Sequence, residues 1–190
     1  MKRIIVTIFT VLLFTTASMA QKVGAKTNFA YWAVAGTPNA QLEFALNRKL
    51  TLEVGGAYNP FEFSDHRKFK HWLVQPEFRY WTCETFNGHF FGLHGLAAEF
   101  NVGGFDWPIG RLKNLKDFRY EGYAFGGGVS YGYQWPVSRR LNFELNIGLG
   151  YAYLLYDKFK CDKCGEKLES DVKENYFGVT KAAISLIYLF

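Results

Sequence analysis

Three residue types that can build a hydrolytic centre are consecutive at Ser64, Asp65 and His66. A serine hydroxyl activated by a histidine base, which an acid orients, is a common nucleophile of acyl transfer. At a membrane surface such a centre would cut or transfer lipid acyl chains. Consecutive side chains point in different directions, so this spacing does not predict a triad. We expect no enzyme activity and no cofactor, and keep a lipid-modifying enzyme as the rival hypothesis.

A second cluster with chemical potential is the sequence Cys161-Asp162-Lys163-Cys164-Gly165. Two thiols at this spacing can close a local disulfide or contribute two ligands to zinc. Zinc would need further ligands from neighbouring loops, because the only other cysteine, Cys83, is predicted at the opposite end of the fold. In an exported protein a Cys161–Cys164 disulfide is favoured, with metal binding and free thiols as alternatives. We assign no metal site.

Charged residues also recur inside segments that otherwise alternate between apolar and small or polar residues. They are Lys26, Glu43, Glu53, Glu77, Arg79, Glu144 and Lys181. If they share one interior, they could form a proton or ion path or an acid/base pair. They could equally form a charge network that fills and rigidifies that interior. Which of these holds depends on the elements that position them.

The segment 141–153 shows the clearest period of two in the chain. Its odd-numbered residues are Leu, Phe, Ile or Tyr, and its even-numbered residues are Asn, Glu, Gly or Ala. Alternation of this kind predicts a β-strand with one large apolar face. The same period recurs at 40–46, 50–58 and 123–135. With further strands at 22–35, 71–82, 90–100 and 176–190, we predict eight strands in all.

The connections between these strands alternate in length. Those at 47–49, 83–88 and 136–140 are short, and on the other side lie 36–39, itself tight, and the long 59–70, 101–121 and 157–175. Up-and-down membrane barrels have short periplasmic turns and longer outer loops. An aromatic content of 19% and 19 glycines also suit such a sheet. We predict an all-β fold, an eight-stranded antiparallel transmembrane up-and-down β-barrel of small OmpA/OmpX-like architecture.

The interior of an eight-stranded barrel is only wide enough for side chains. Unpaired charge is costly there, so we expect the seven charged residues to pair and to plug the lumen. We favour this network over a proton or ion path, and a narrow ion channel remains an alternative. The segment 90–100 is apolar on both parities, which suggests a bulge or a covered face. The pattern leaves the orientation of His94 open, and if this residue points inward it completes the polar network.

The first 20 residues have the layout of a secretory signal peptide. Two basic residues precede an apolar stretch at 4–14 that is too short for a membrane helix, and Ser18-Met19-Ala20 offers the small residues of a cleavage site. We expect cleavage after residue 20, one barrel domain over 21–190, and a location in the outer membrane of a Gram-negative bacterium. Losing the two basic residues lowers the formal charge from +5 to +3, which is too small to indicate nucleic-acid binding.

The last strand ends in an alternating pattern that includes Leu186, Tyr188 and the terminal Phe190. This pattern resembles the C-terminal signal that the barrel-assembly machinery reads, so we expect that machinery as a partner during insertion. Basic residues of the long loops are expected near the phosphates of lipopolysaccharide or on a surface for a protein partner. They are Arg67, Lys68, Lys70, Arg111, Lys113, Lys116 and Arg119.

An ordered set of short words runs through the whole of 21–190. It comprises Lys26-Thr27-Asn28, Thr37-Pro38-Asn39, Tyr58-Asn59-Pro60, His71-Trp72, Gln75-Pro76-Glu77-Phe78-Arg79-Tyr80-Trp81, Gly88-His89-Phe90, Gly92-Leu93-His94, Arg119-Tyr120-Glu121-Gly122, Gly132-Tyr133-Gln134-Trp135, Cys161 with Cys164-Gly165, and Tyr176-Phe177-Gly178 before Thr180-Lys181. Together these words resemble a family of small bacterial outer-membrane proteins catalogued as domain of unknown function 3575. The resemblance implies the barrel and its location, and it implies no reaction. Family members lie near genes for surface fimbriae, which implies a link to surface assemblies. We therefore expect a non-enzymatic outer-membrane protein with a structural or surface-interaction role.

The disulfide can be tested by mass spectrometry of the exported protein. We expect the intact mass to rise by two hydrogens on reduction, because an oxidising compartment closes nearby thiol pairs. A Cys83→Ser variant should show the same rise, since that thiol takes no part. An intact mass that reduction leaves unchanged would exclude the Cys161–Cys164 bond.

Overall fold

The computed structural model describes residues 23–34, 36–62, 68–104, 115, 118–160 and 165–190. Within these ranges the chain forms eight strands and one short helix. The strands are β1 (Val23–Asn28), β2 (Asn39–Ala45), β3 (Leu50–Asn59), β4 (Lys68–Trp81), β5 (Gly88–Gly103), β6 (Phe118–Pro136), β7 (Leu141–Lys160) and β8 (Glu166–Leu189), and the helix is α1 (Phe29–Ala33). No helix in the described ranges has both the length and the apolar character needed to cross a membrane.

Each strand pairs antiparallel with the next, and β8 pairs with β1, so that the sheet closes into a barrel. The predicted all-β, eight-stranded antiparallel fold is confirmed. Side chains alternate as the sequence pattern requires, with small and polar residues inside and large apolar residues outside along most of each strand. Near the short connections at one end of the barrel, Trp81, Phe90 and Ile187 are large apolar residues that point inward. We call the end with the three short connections and the chain terminus Phe190 the turn end, and the opposite end the loop end.

Two of the turns show why the connections at the turn end are short. After β2, the side chain of Asn47 accepts hydrogen bonds from the backbone N–H groups of Lys49 and Leu50. After β6, the hydroxyl of Ser138 accepts in the same way from Leu141. Such side chains satisfy the backbone locally, and this stabilises tight reversals between antiparallel strands.

The barrel wall is uneven in height, because β1 and β2 are short and β6, β7 and β8 are long. The prediction of a strand over 22–35 was wrong beyond Asn28, since α1 follows there directly. The predicted tight connection at 36–39 was therefore also wrong, because the link to β2 includes this helical turn. The side chain of Asn28 caps α1 by accepting a hydrogen bond from the N–H of Ala30.

The strands on the tall side extend well into the predicted loops 101–121 and 157–175. β5 runs to Gly103, β6 begins at Phe118, β7 runs to Lys160 and β8 begins at Glu166. Polar residues on both faces hide the period of two there. Cross-strand ion pairs between β7 and β8 stabilise this extension, with Lys158 3.4 Å from Glu169 and Lys167 2.6 Å from Asp157.

The bulge suggested for segment 90–100 lies elsewhere. β5 pairs with β4 and β6 in constant register, with His94 inward and Glu99 outward. The sheet is irregular instead between β7 and β8, where Gly148 faces Lys181 but Leu149 faces Val179. Thr180 is the extra residue. Because a bulge turns two successive side chains toward one side, Thr180 and Lys181 both reach interior partners.

Replacing Asn28 by alanine should weaken the seam between β1 and β8. The side-chain amide of Asn28 replaces one further pair of backbone hydrogen bonds between the strands. It accepts from the N–H of Ile184 and donates to the C=O of Ala182, each at 3.0 Å. We expect the free energy of unfolding to fall by about 1–3 kcal/mol, because buried backbone groups lose their partners. Urea unfolding of the barrel refolded in lipid vesicles measures this loss.

Asn175→Ala is the matched control for this substitution. Asn175 is exposed on β8 and accepts one hydrogen bond from the Tyr151 hydroxyl. Its loss should change the free energy of unfolding by no more than about 0.5 kcal/mol. Equal effects of the two variants would show that Asn28 does not hold the seam.

Candidate functional site

Three glutamates stand side by side across the interior face of the barrel. The register pairs Glu43 of β2 with Glu53 of β3, and Glu53 with Glu77 of β4. All three side chains are buried. Like charges directly opposite on neighbouring strands repel each other, so this row is stable only if cations lie among the carboxylates.

Arg79 is the cation that contacts the largest number of these carboxylates. It lies on β4 two residues after Glu77, and its side chain is fully buried. The guanidinium contacts four carboxylates, because its planar fork donates in several directions at once. The contacts are Nε to Glu77 at 2.6 Å, Nη2 to Glu53 at 2.7 Å, Nη1 to Glu43 at 3.1 Å and Nη1 to Glu144 at 2.8 Å.

Two lysines complete the set of ion pairs. The ammonium of Lys26, from β1, is 2.8 Å from both Glu53 and Glu144 and also pairs with Glu43. Lys181, from β8, is 2.7 Å from Glu53 and 2.8 Å from Glu77. The structure thus brings together all seven charged residues that the sequence placed in the lumen, and links six of the eight strands through them.

Neutral side chains take up further lone pairs of the carboxylates. The hydroxyl of Thr51 donates to Glu43, and that of Ser130 donates to Glu77. His94 points inward beside this network, with its Nε2 2.8 Å from the Thr180 hydroxyl. Burial of so many charges is tolerable because almost every oxygen has a hydrogen-bond donor.

Glycine on the interior face makes room for this network. A Cβ atom at Gly92 would overlap the Ser130 hydroxyl and the Glu77 carboxylate. A Cβ atom at Gly148 would similarly contact the His94 ring and the Lys181 side chain. The long charged side chains therefore occupy the interior space that the glycines leave free.

Three of the carboxylates, from Glu43, Glu53 and Glu144, are close enough together to bind a metal ion. The Lys26 ammonium pairs with each of the three and takes the place that a cation would need. The chemistry of this donor set therefore fits an internal ion-pair cluster better than a metal site. Glu77 pairs with Arg79 and Lys181 instead, so in the described ranges each of the four glutamates has a cationic partner.

An apolar plug closes the interior at the turn end. Trp81, Phe90 and Ile187 have no exposed surface, and Phe86, from the turn after β4, is almost completely buried with them. Phe86 adopts a φ of 65°, a conformation that is rare for a residue with a side chain. Asn142 holds it by donating to its carbonyl at 2.8 Å. The turn thus folds its phenyl ring back into the barrel.

The plug and several donors of the network were missed by sequence reasoning. Phe86 lies in a predicted turn, where no alternation marks an inward direction. Thr180 was missed because a bulge breaks the period of two. Thr51 and Ser130 do fall on the inward parity of their strands, so that signal could have identified them.

The basic residues expected at the loop end are only partly described. Lys70 is 2.5 Å from Glu62 and Lys68 is 3.8 Å from the same carboxylate, and the hydrogen bond from Lys70 lowers the pKa of Glu62. Arg119 lies in β6, with its guanidinium stacked 4.2 Å above the Phe159 ring. Arg67, Arg111, Lys113 and Lys116 lie outside the described residues.

Both clusters with which the sequence analysis began also lie outside the described residues. They are Ser64-Asp65-His66 and the pair Cys161 and Cys164. Cys83 is described, and it is exposed at the turn end with a free thiol. At the same end, Leu186, Tyr188 and Phe190 all face outward, and the N–H of Phe190 donates to the Val23 carbonyl at 3.0 Å.

Replacing Arg79 by methionine should destabilise the barrel strongly. The variant keeps a long side chain but leaves the row of glutamates with too little positive charge. We expect a loss of about 3–5 kcal/mol in the free energy of unfolding, because one partner of a buried ion network has been removed. Urea titration in lipid vesicles, followed by tryptophan fluorescence, measures it.

Lys70→Met is the matched control for Arg79→Met, since it makes the same kind of change in an exposed pair. Solvent already screens the contact of Lys70 with Glu62, so stability should hardly change. Equal stability of the Arg79→Met variant and the unaltered chain would contradict a structural role for the network.

The chain was also compared with known proteins. A search of functionally curated proteins finds no match. A family model described as "Protein of unknown function (DUF3575)" matches residues 5–190, which is nearly the whole chain. The chain therefore belongs to the DUF3575 family.

Proposed function

We propose that this protein is an integral outer-membrane β-barrel with a plugged interior, and that it serves a structural or surface-interaction role. The observation that carries the proposal is an inverted distribution of side chains. The interior holds charged residues, whereas the outer surface carries large apolar ones. A water-soluble barrel would have the opposite arrangement, and a bilayer favours this one.

The apolar surface forms a continuous belt. At its centre Leu93, Val129 and Leu149 are direct neighbours on β5, β6 and β7, and all three are more than half exposed. Soluble monomers rarely expose contiguous apolar patches of more than a few hundred Å². Exposed residues of the other strands, including Leu52, Val54, Val74, Phe78, Ile184 and Leu186, continue the belt around the barrel.

Aromatic residues mark the two rims of the belt, as expected where a barrel meets both bilayer interfaces. Tyr80, Trp135 and Tyr188 lie near the turn end, and Tyr58, Tyr123, Tyr151 and Phe177 lie toward the loop end. The expected signal peptide at 1–20 and the alternating terminus support export and insertion by the barrel-assembly machinery. The turn end would then face the periplasm, and the loop end would face the cell exterior.

The filled interior favours a non-conducting barrel over a narrow ion channel. The salt-bridge network and the apolar plug occupy the bore in series. His94 has a hydroxyl partner in Thr180, but no described group accepts or donates at its Nδ1, so no acid orients it as a triad requires. We therefore propose neither transport nor catalysis.

At the cell surface, the loop end would contact lipopolysaccharide and a protein of a surface assembly. Basic residues of the outer loops could pair with lipid phosphates. Lys68 and Lys70 already share Glu62, so their contribution to phosphate binding would require exchange of that partner.

Placing an arginine in the belt tests the membrane location. Val129 is 63% exposed at the centre of the belt, and Val137 is 67% exposed in the turn after β6. We expect Val129→Arg to cost about 2–4 kcal/mol in lipid vesicles, and Val137→Arg about 0–1 kcal/mol, because the penalty depends on depth in the bilayer. Urea unfolding of the two variants measures the difference. Equal small effects would contradict a membrane-spanning barrel, because in water both positions tolerate arginine.

Three measurements separate the proposed role from its rivals. Steady conductance of the purified barrel in a planar bilayer would favour a channel, and we expect none. A change in lipid A mass that depends on Ser64 and His66 would favour an enzyme, and we expect none.

Crosslinking in cells from the connection between β5 and β6 should capture a protein partner, and capture of lipopolysaccharide alone would contradict a surface-assembly role.

A further inference from the structure

A polar groove lies on the outer face of the barrel, beside the loop-end border of the belt. It comprises a cavity of about 310 Å³ and an adjoining one of about 220 Å³. Glu99 of β5 and Glu121 of β6 line both cavities. On the turn-end side of the groove, the outward faces of β4 and β6 continue with Val74 and Phe125, which are exposed residues of the belt. If lipid surrounds the belt, the groove lies at the depth of the lipid headgroups.

The larger cavity opens on the outward faces of four neighbouring strands, β3 to β6. Six of the residues that line it fall on the outward parity of these strands: Tyr58, Lys70, Trp72, Glu99, Asn101 and Glu121. Trp72 pairs with Tyr58 on one side and with Glu99 on the other. Asn101 likewise pairs with Lys70 and with Glu121. The sheet therefore sets the spacing of these side chains, independently of the loops.

Two aromatic rings form one wall of the larger cavity. Tyr58 is 62% exposed, and Trp72 lies beside it on β4. The indole N–H of Trp72 donates to the Glu99 carboxylate at 2.7 Å, which holds both side chains in place. The face of an aromatic ring carries partial negative charge and attracts the weakly positive C–H groups of a sugar ring. The wall thus offers a sugar a pre-organised stacking surface.

The polar groups of this cavity include both donors and acceptors. The Lys70 ammonium has three donors and uses one of them on Glu62. The carboxylates of Glu99 and Glu121 are exposed acceptors. Sugar hydroxyls both donate and accept, so they match such a mixed set. Two carboxylates beside one ammonium disfavour a phosphate in the same place, because like charges repel.

We propose that this groove binds the saccharide headgroup of an outer-leaflet glycolipid, whose acyl chains lie against the belt beside Val74 and Phe125. This inference rests on the proposed function and names the chemistry of its lipid contact. The groove is continuous with the belt, so a single amphiphile would cover the apolar surface and fill the polar cavity. The smaller cavity continues past Glu121 to Tyr123 and Asp157, which gives room for a second sugar unit.

A metal ion or a cationic peptide fits the groove less well. Among the described residues, only Glu43, Glu53 and Glu144 bring three carboxylates close enough together to hold a metal, and these lie inside the barrel. The groove therefore offers an ion no complete ligand set. A cationic peptide would meet the Lys70 ammonium in the same cavity, at a cost from like-charge repulsion.

Native mass spectrometry of the exported protein, purified in detergent, tests the proposal. The protein is titrated with purified rough lipopolysaccharide of one defined mass and, separately, with phosphatidylglycerol, which has acyl chains but no saccharide. The groove variants are Trp72→Leu and Glu121→Gln. Their matched controls are Trp135→Leu, near the turn end, and Glu169→Gln, which changes an exposed ion pair outside the groove.

We expect each groove variant to bind lipopolysaccharide about tenfold more weakly than the unaltered chain, because it loses a stacking surface or a charged acceptor. The affinity for phosphatidylglycerol should not change, and the controls should match the unaltered chain with both lipids. Each groove variant tests the site by itself, so the test stands even if the other variant does not fold. Unchanged lipopolysaccharide affinity in a folded groove variant, or an equal loss in its control, would overturn the proposal.

Two further samples identify the part of the ligand that is bound. Lipopolysaccharide binding should persist in EDTA, and its loss there would overturn the proposal by showing that a divalent cation carries the contact. The delipidated oligosaccharide should bind at least about tenfold more weakly than the whole molecule, since it has no acyl chains to cover the belt. Equal affinity of the two would overturn the assignment to a lipid headgroup.

Failure of the saccharide site is distinguishable from failure of the membrane location. Unchanged lipopolysaccharide binding by the groove variants, combined with a strong Val129→Arg effect, would reject the site and leave the proposed location intact. A small Val129→Arg effect would instead contradict the location itself, and with it the lipid origin of the ligand.

Discussion

The contact of Arg79 with four glutamates is the interaction on which the barrel interior depends. Alternation alone would align Glu43, Glu53 and Glu77 and make them repel one another. The guanidinium pairs with all three carboxylates, and it therefore stabilises the one register that aligns them. A slip of one residue on any of these strands would move a carboxylate onto the apolar outer face. Losing one partner of such a network leaves a buried charge unpaired, so other registers are disfavoured.

The same cluster accounts for the division of the barrel into layers. The apolar plug around Trp81 and Phe90 lies on the turn-end side, and Arg79 connects the two layers, with its guanidinium 4.4 Å above the Phe90 ring. On the loop-end side, His94 and Thr180 continue the polar contacts. Apolar side chains and ion pairs therefore fill successive levels of the bore.

Much of the fold could be predicted because inward and outward side chains alternate along each strand of a barrel, and this alternation appears in the sequence as a period of two. The strand at 141–153 and the direction of all seven lumen charges followed from that period. The ends of strands could not be predicted in the same way. β1 stops at Asn28 because its amide bonds to Ala182 and Ile184, which lie more than 150 residues away. At the loop end, polar residues occupy both faces, so alternation no longer reports pairing.

The sequence by itself determined which side of the sheet each residue of the regular strands occupies, because inward and outward positions alternate. Only the tertiary structure decided which charge meets which, since register and the extra residue Thr180 bring Lys181 to Glu53 and Glu77. It also decided that Phe86 folds back as part of the plug, through a rare backbone conformation that no local pattern indicates. Distant strands impose both arrangements, and local preference carries no information about them.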